Sequence, residues 1–370
     1  MDTDETKCSF VSSRGILKSC DVAHERPVSS SSQLPDLTKM YDNCTVYVCN
    51  TAIPLFACAM HQIHCRFILV SGDSDNENYS QIFARIEEFN AFISDDKIIH
   101  WFSQNADVSH PKLTNLPIGL DYHTVSGKKM WRERQQTPVT QEQVIFELRR
   151  GSLPFKDRVP KCYINFIPRS ETYVYDRIEA LRNIPKEVTF KEQKGQQRGI
   201  CWKNQIQFSF VISPFGNGMD CHRTWEALVL GNIPIVRTSG LDPLFADLPV
   251  LIINHWGEVD QKLLSDTIED FQSRTFNYDK LNLQYWVDKI RSYKEDGSGP
   301  AVDKSVCYVK SASRPYSHVD YVLMVMPLCV GVCIYIFVLG IALLLFAGNA
   351  RPNRRTSTAK SKTTSFGRGV

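Results

Sequence analysis

The stretch from Ser213 to Val236, SPFGNGMDCHRTWEALVLGNIPIV, constrains the fold more than any other part of the chain. FSFVIS, ending at Ser213, is rich in β-branched and aromatic residues and reads as a strand. Pro214 lacks a backbone donor and stops the ladder. Gly216 and Gly218 allow backbone conformations and close approaches that other residues resist. A helix is predicted from Asp220 to Leu230, closed by Gly231, and IPIV begins the next strand. This order, strand, turn, helix, strand, is a βαβ unit, which demands a parallel sheet. The unpaired N–H groups at the helix start would face the glycine turn, a setting that suits a phosphate or diphosphate. Asp220 fits an N-terminal cap. Arg223 lies where a forked guanidinium neutralises phosphate. Glu226, three residues on, shares its face and could accept from two vicinal hydroxyls, as on a ribose. A surface pair between Arg223 and Glu226 is the plainer alternative.

Alternation continues on both sides. CTVYVCNT, RFILVSGDSD, KIIHWFSQNAD and KLTNLPIGLDYHT read as strands, with helical segments at LFACAMHQIHC and SQIFARIEEFNAFI. After a polar connection, KCYINFI, EVTFKE, FSFVIS, IPIV and LPVLIIN form a second strand series, with closing helices beyond. The expected fold class is α/β, with two Rossmann-like domains facing a cleft. Residues 1–37, serine-rich and aperiodic, are expected to be flexible. Residues 38–150 and 155–300 are expected to form the two domains, followed by a linker over 301–320.

From Tyr321 to Ala347 no residue is charged, which is longer than the roughly 20 residues needed to cross a bilayer. A single transmembrane helix over 321–347 is expected, then a basic tail over 348–370. The tail favours a cytoplasmic C-terminus, whereas the first residues carry no apolar signal segment. The side of the membrane on which the chain lies is therefore left open. The net charge of +3 sits largely in that tail and gives no basic face for nucleic acid. None of the twelve cysteines forms a C-x-x-C pair, which argues against a zinc ribbon. Those between Cys44 and Cys65 read as small buried residues, or as disulfides in an oxidising compartment. Asn43 and Asn78 begin glycosylation sequons that matter only in a lumen.

The order of strand, Gly-x-Gly turn, His-Arg-x-x-Glu helix, glycine and IPIV resembles the donor-binding segment of exostosin-like glycosyltransferases. LDPLFADLPVLIINHWGEV and NLPIGLDYHT extend the likeness. The resemblance implies a membrane-anchored, inverting transferase of GT-B-like architecture, located at an endomembrane (Golgi or ER), that moves a sugar from a nucleotide diphosphate sugar to an acceptor hydroxyl on a glycan or glycoprotein. The implied donor site is Ser213, Gly216, Asn217, Gly218, Asp220, Arg223 and Glu226, joined by Arg169 after the first strand of the second domain. Glu226 would bind the ribose. Asp121, His123 and His222 are the candidates for the catalytic base or the leaving-group contact. No metal is expected, because the glycine loop and Arg223 neutralise the phosphates. The D-x-D of Asp73 and Asp75 is the metal-binding alternative. The anchor departs from the family, whose animal members usually carry it at the N-terminus. Two rivals remain: a membrane-tethered binder of nucleotide sugars or glycans without catalysis, and another phosphate-using enzyme. The second needs a GxxxxGK[ST] or GxGxxG fingerprint, and the sequence has neither.

Overall fold

The computed structural model describes residues 2–75, 81–168 and 172–294. It is an α/β structure with two parallel sheets. The first holds β1 (Cys44–Cys49), β2 (Phe67–Gly72), β3 (Ile98–Gln104) and β4 (Leu113–Leu116), in the order β1-β2-β3-β4. The second holds β5 (Val159–Ile164), β6 (Thr189–Lys191), β7 (Phe208–Ile212), β8 (Ile233–Arg237) and β9 (Leu251–Ile253), in the order β6-β5-β7-β8-β9.

Strand periodicity explains the layering. On one face of the first sheet Val46, Val48, Phe67, Leu69 and Trp101 pack on Phe56, Phe89 and Phe92 of the flanking helices Ile53–Ala59 and Ile86–Ile93. The alternate residues Tyr47, Ile68, Val70 and Phe102 face the other way. They join Trp225, Leu228, Val236 and Trp286 from the second half in a shared core. On the second sheet Ile164, Phe210, Ile212 and Ile235 pack on Ala180, Leu264 and Phe271. Both sheets thus lie within one compact unit.

One expectation needs correction. The segment over 1–37, expected to be flexible, is packed. Phe10, Val11, Ile16 and Leu17 are buried in the shared core, and Val22 pairs in parallel with Val46 of β1. Ser12 pairs with Gly119, whose φ of 65° and closeness to Val11 exclude a side chain: a Cβ there would lie 2.2 Å from the Val11 carbonyl oxygen. The polar connection before β5 contains a helix, Pro138–Arg150, in keeping with the helical character of its VIFELRRGS stretch, with Gln141, Glu142 and Ile145 buried. No helix among the described residues is long and apolar enough to cross a membrane, and the segment 321–347 lies outside them. The nine cysteines among the described residues are free thiols.

Candidate functional site

A cavity of about 360 Å³ opens at the carboxyl ends of strands from both sheets. Loops after β2, β4 and β7 line it, which is where parallel sheets present ligand sites.

The loop after β7 carries the basic wall. Its helix begins at His222, with Cys221 rather than Asp220 at the N-cap position and no side-chain cap bond. Gly231 closes it with φ 78°, the left-handed conformation expected of a stop glycine. Gly216 and Gly218 act differently from expectation, since neither has a positive φ. What requires glycine there is proximity. A Cβ on Gly216 would lie 2.9 Å from Cys221 Sγ, and one on Gly218 2.8 Å from Asn105 Nδ2. Arg223 Nη1 donates to the Pro214 carbonyl at 3.2 Å, and its guanidinium lies 5.2 Å from the centre of the Phe166 ring. Arg177, on helix Val174–Asn183, donates to the carbonyls of Phe215 at 3.0 Å and Ile167 at 3.2 Å. Burial lowers its pKa, and the nearby charge of Arg223 lowers it further, against Cys221, Asp176 and Asp75. Two guanidinium groups held beside one glycine loop form a seat for an anion. Arg177 was missed in the sequence because it lies 38 residues before the loop carbonyl it binds.

Asp220 is not a cap. It is buried, and its carboxylate accepts from Ile118 N at 2.7 Å, Cys221 N at 2.9 Å and Trp225 Nε1 at 2.9 Å. Its own N–H donates to Asn105 Oδ1 at 2.8 Å. The residue therefore ties the glycine loop to β3 and to the loop after β4. Burial raises its pKa to about 6, although these donors and His222 oppose the rise. Ser213 is also internal, its hydroxyl bonded to Thr224 at 2.8 Å.

Asp121 and His123 of the first half and His222 at the helix start also line the cavity. His222 Nδ1 lies 2.7 Å from the Gly119 carbonyl oxygen. A carbonyl only accepts, so Nδ1 carries the proton and the neutral ring keeps its lone pair on Nε2. The His123 and His222 ring centres are 6.2 Å apart. His123 Nδ1 sits 3.3 Å from Asp121 Oδ1 without the alignment of a hydrogen bond. Burial lowers the His123 pKa to about 4 despite the Asp121 charge, so the ring is neutral near pH 7. Burial pushes Asp121 upward, but His222, His123 and Arg198 outweigh it and hold the carboxyl at about 2. Asp121 is therefore an anion beside two imidazoles.

Glu226 is placed differently from expectation. It is not among the residues that line the cavity; its carboxylate meets Arg198 Nη2 at 2.7 Å. Arg198 Nη1 also donates to the Asp121 carbonyl at 2.8 Å and to Gln141 at 3.2 Å, and its guanidinium lies 4.4 Å from the centre of the Trp202 ring. Glu226 is thereby part of the support beneath Asp121. Arg198 was missed because its helix, Arg198–Gln205, carries no clear apolar stripe in its sequence RGICWKNQ. Arg169 lies outside the described residues.

Asp73 and Asp75 both line the cavity. Asp73 has φ 53°, accepts from the Ser29 hydroxyl at 2.9 Å and faces Arg14 at 3.7 Å. Ser30 N donates to the Asp73 carbonyl at 2.8 Å, so the N-terminal segment clamps the loop after β2. Among the described residues, no group of three or more His, Cys, Asp or Glu side chains is arranged to hold a metal ion.

Behind the site, Glu5 is buried and its Oε2 has no hydrogen-bond partner among the described residues. Burial raises its pKa from 4.5 to about 7, against Ser12 and Arg14. The folded chain thus takes up this proton at higher pH than the unfolded chain. Glu5 adds stability that is full below its unfolded value and lost as pH rises through about 7. We expect the melting temperature of Glu5→Gln to exceed that of the unaltered chain at pH 8 and to match it at pH 5. Equal gaps at both values would contradict this.

No protein-family model matches the chain, and no curated protein matches it.

Proposed function

We propose that the protein is a glycosyltransferase that moves a sugar from a nucleotide diphosphate sugar to an acceptor hydroxyl, with inversion. In this reading its two halves act as the Rossmann-like pair of a GT-B enzyme. The observation that carries it is the cavity itself. A glycine loop, a helix start and two arginines stand on one side, and an imidazole with a free Nε2 beside a fixed carboxylate stands within reach. The likeness of Ser213–Val236 to the exostosin-like donor segment supports it from the sequence side.

The diphosphate would rest on the loop at 216–218 and on Arg177 and Arg223, which take up the charge that develops as the bond to the sugar breaks. His222 Nε2 would remove the acceptor proton, and the acceptor oxygen would then displace the nucleotide diphosphate at the anomeric carbon. Asp121 would stabilise the imidazolium that results. No step calls for a metal ion, so transfer should continue in EDTA. Full loss reversed by manganese would instead favour Asp73 and Asp75 as a metal site. The acceptor is a glycan or glycoprotein, and the chain would be held at an endomembrane by residues 321–347.

The decisive variant is Arg223→Ala. Calorimetry on the full-length chain should show nucleoside diphosphate binding weakened about tenfold or more, the loss of a charge-assisted contact of roughly 1.5–3 kcal/mol, with the fold intact. Undiminished binding would remove the phosphate assignment.

A further inference from the structure

Charge divides the cavity unevenly. Its two guanidinium groups, Arg177 and Arg223, both come from the second half of the chain. The wall from the first half carries no lysine or arginine among its lining residues. It is lined by Asp73, Asp75 and Asp121 together with Ser13, Ser29 and Ser30, the Ser29 hydroxyl being bonded to Asp73 and that of Ser13 to Gln104. Asp73 and Asp121 are both buried, so solvent screens their charge weakly. Asp121 is an anion at neutral pH, because the two imidazoles and Arg198 hold its carboxyl at about 2 despite its burial. Carboxylates and hydroxyls are acceptors and donors for a polyol. For a second carboxylate they are repulsive neighbours.

In the transferase reading, a donor whose diphosphate lies on the arginine side would project its sugar toward this wall. We infer that the site selects an uncharged hexose as the transferred sugar and rejects a hexuronate, and that Asp73 is a specificity-determining residue. This inference rests on the glycosyltransferase reading. The discrimination works through repulsion as well as fit, in the manner of specificity built against a competitor. Asp73 is positioned for it by the N-terminal segment: Ser29 and Arg14 hold its two oxygens, and Ser30 holds its carbonyl.

The test is calorimetry on the full-length chain with uridine and guanosine diphosphates, each free, carrying a neutral hexose, and carrying the matching hexuronate. The expected result is binding that depends on Arg223, with the uronate at least about tenfold weaker than its neutral partner. Asp73→Asn should narrow that ratio to below about threefold. Should that variant fail to fold, the ratio in the unaltered chain still decides. Uronate binding equal to or tighter than neutral-sugar binding, with Arg223 still required, overturns the specificity inference and leaves the transferase reading standing. Nucleotides that do not bind, or that bind equally to Arg223→Ala, overturn both.

Discussion

Transfer by His222→Ala is expected to fall about 10²–10⁴-fold, the usual contribution of a general base, while donor binding stays within about threefold of the unaltered chain. The three candidates for the base are separated by their surroundings. Asp121, held at about 2, is too weak a base to take a hydroxyl proton efficiently near neutrality. His123 is driven down to about 4 by burial and is a poor base for the same reason. His222 alone has its tautomer fixed from behind, by the 2.7 Å bond from Nδ1 to the Gly119 carbonyl. That bond directs the lone pair of Nε2 away from Gly119. The control is His123→Ala, which should cost far less in rate than His222→Ala. A larger loss in His123→Ala would move the base to that residue. A chain that transfers sugar normally without His222 would remove the proposed mechanism and leave the binding site in place.

The second large effect is on stability. Asp220→Ala should destabilise the fold by about 3–5 kcal/mol, because it strips the partner from several buried donors at once. Ile118 N and Trp225 Nε1 each donate to this carboxylate from the interior. Asp220→Asn keeps the shape but replaces one acceptor oxygen with a donor, so it should fall between the two. Burial pushes the carboxyl up to about 6 in the folded chain, from its ordinary value of 3.8. Its contribution is therefore fullest below the unfolded value and is lost as pH rises through about 6. Denaturant titrations at pH 5 and pH 8 measure this directly. A gap of less than about 1 kcal/mol for Asp220→Ala at both values would show that the hydrogen bonds around Asp220 do not fasten the two halves.

The strands were readable because parallel sheets buried on both faces are written as short apolar runs, such as FILVSG and FVIS. The helix from His222 was readable from its stop glycine and its neighbours. Three features were not. Helix Arg198–Gln205 buries Arg198, Trp202 and Gln205, two of which are polar, so no hydrophobic stripe announces it. The N-terminal segment places Phe10, Val11, Ile16 and Leu17 among serines, and only the groove they enter makes them core residues. Glu226 shares a helix face with Arg223, which made a ribose contact reasonable. Its true neighbour, Arg198, lies 28 residues upstream. Local spacing describes a helix face; it does not describe what the rest of the chain brings to that face. Asp220 shows the same limit. Its position beside a helix start suggested a cap, while its partner Ile118 is 102 residues away.

The most direct test of the account is a crystal structure of the chain with a bound nucleoside diphosphate. Phosphate oxygens are expected within hydrogen-bond distance of the Arg223 and Arg177 guanidinium groups and against the backbone at 216–218. A nucleotide bound elsewhere, with Arg223 still turned only to the Pro214 carbonyl, would contradict it.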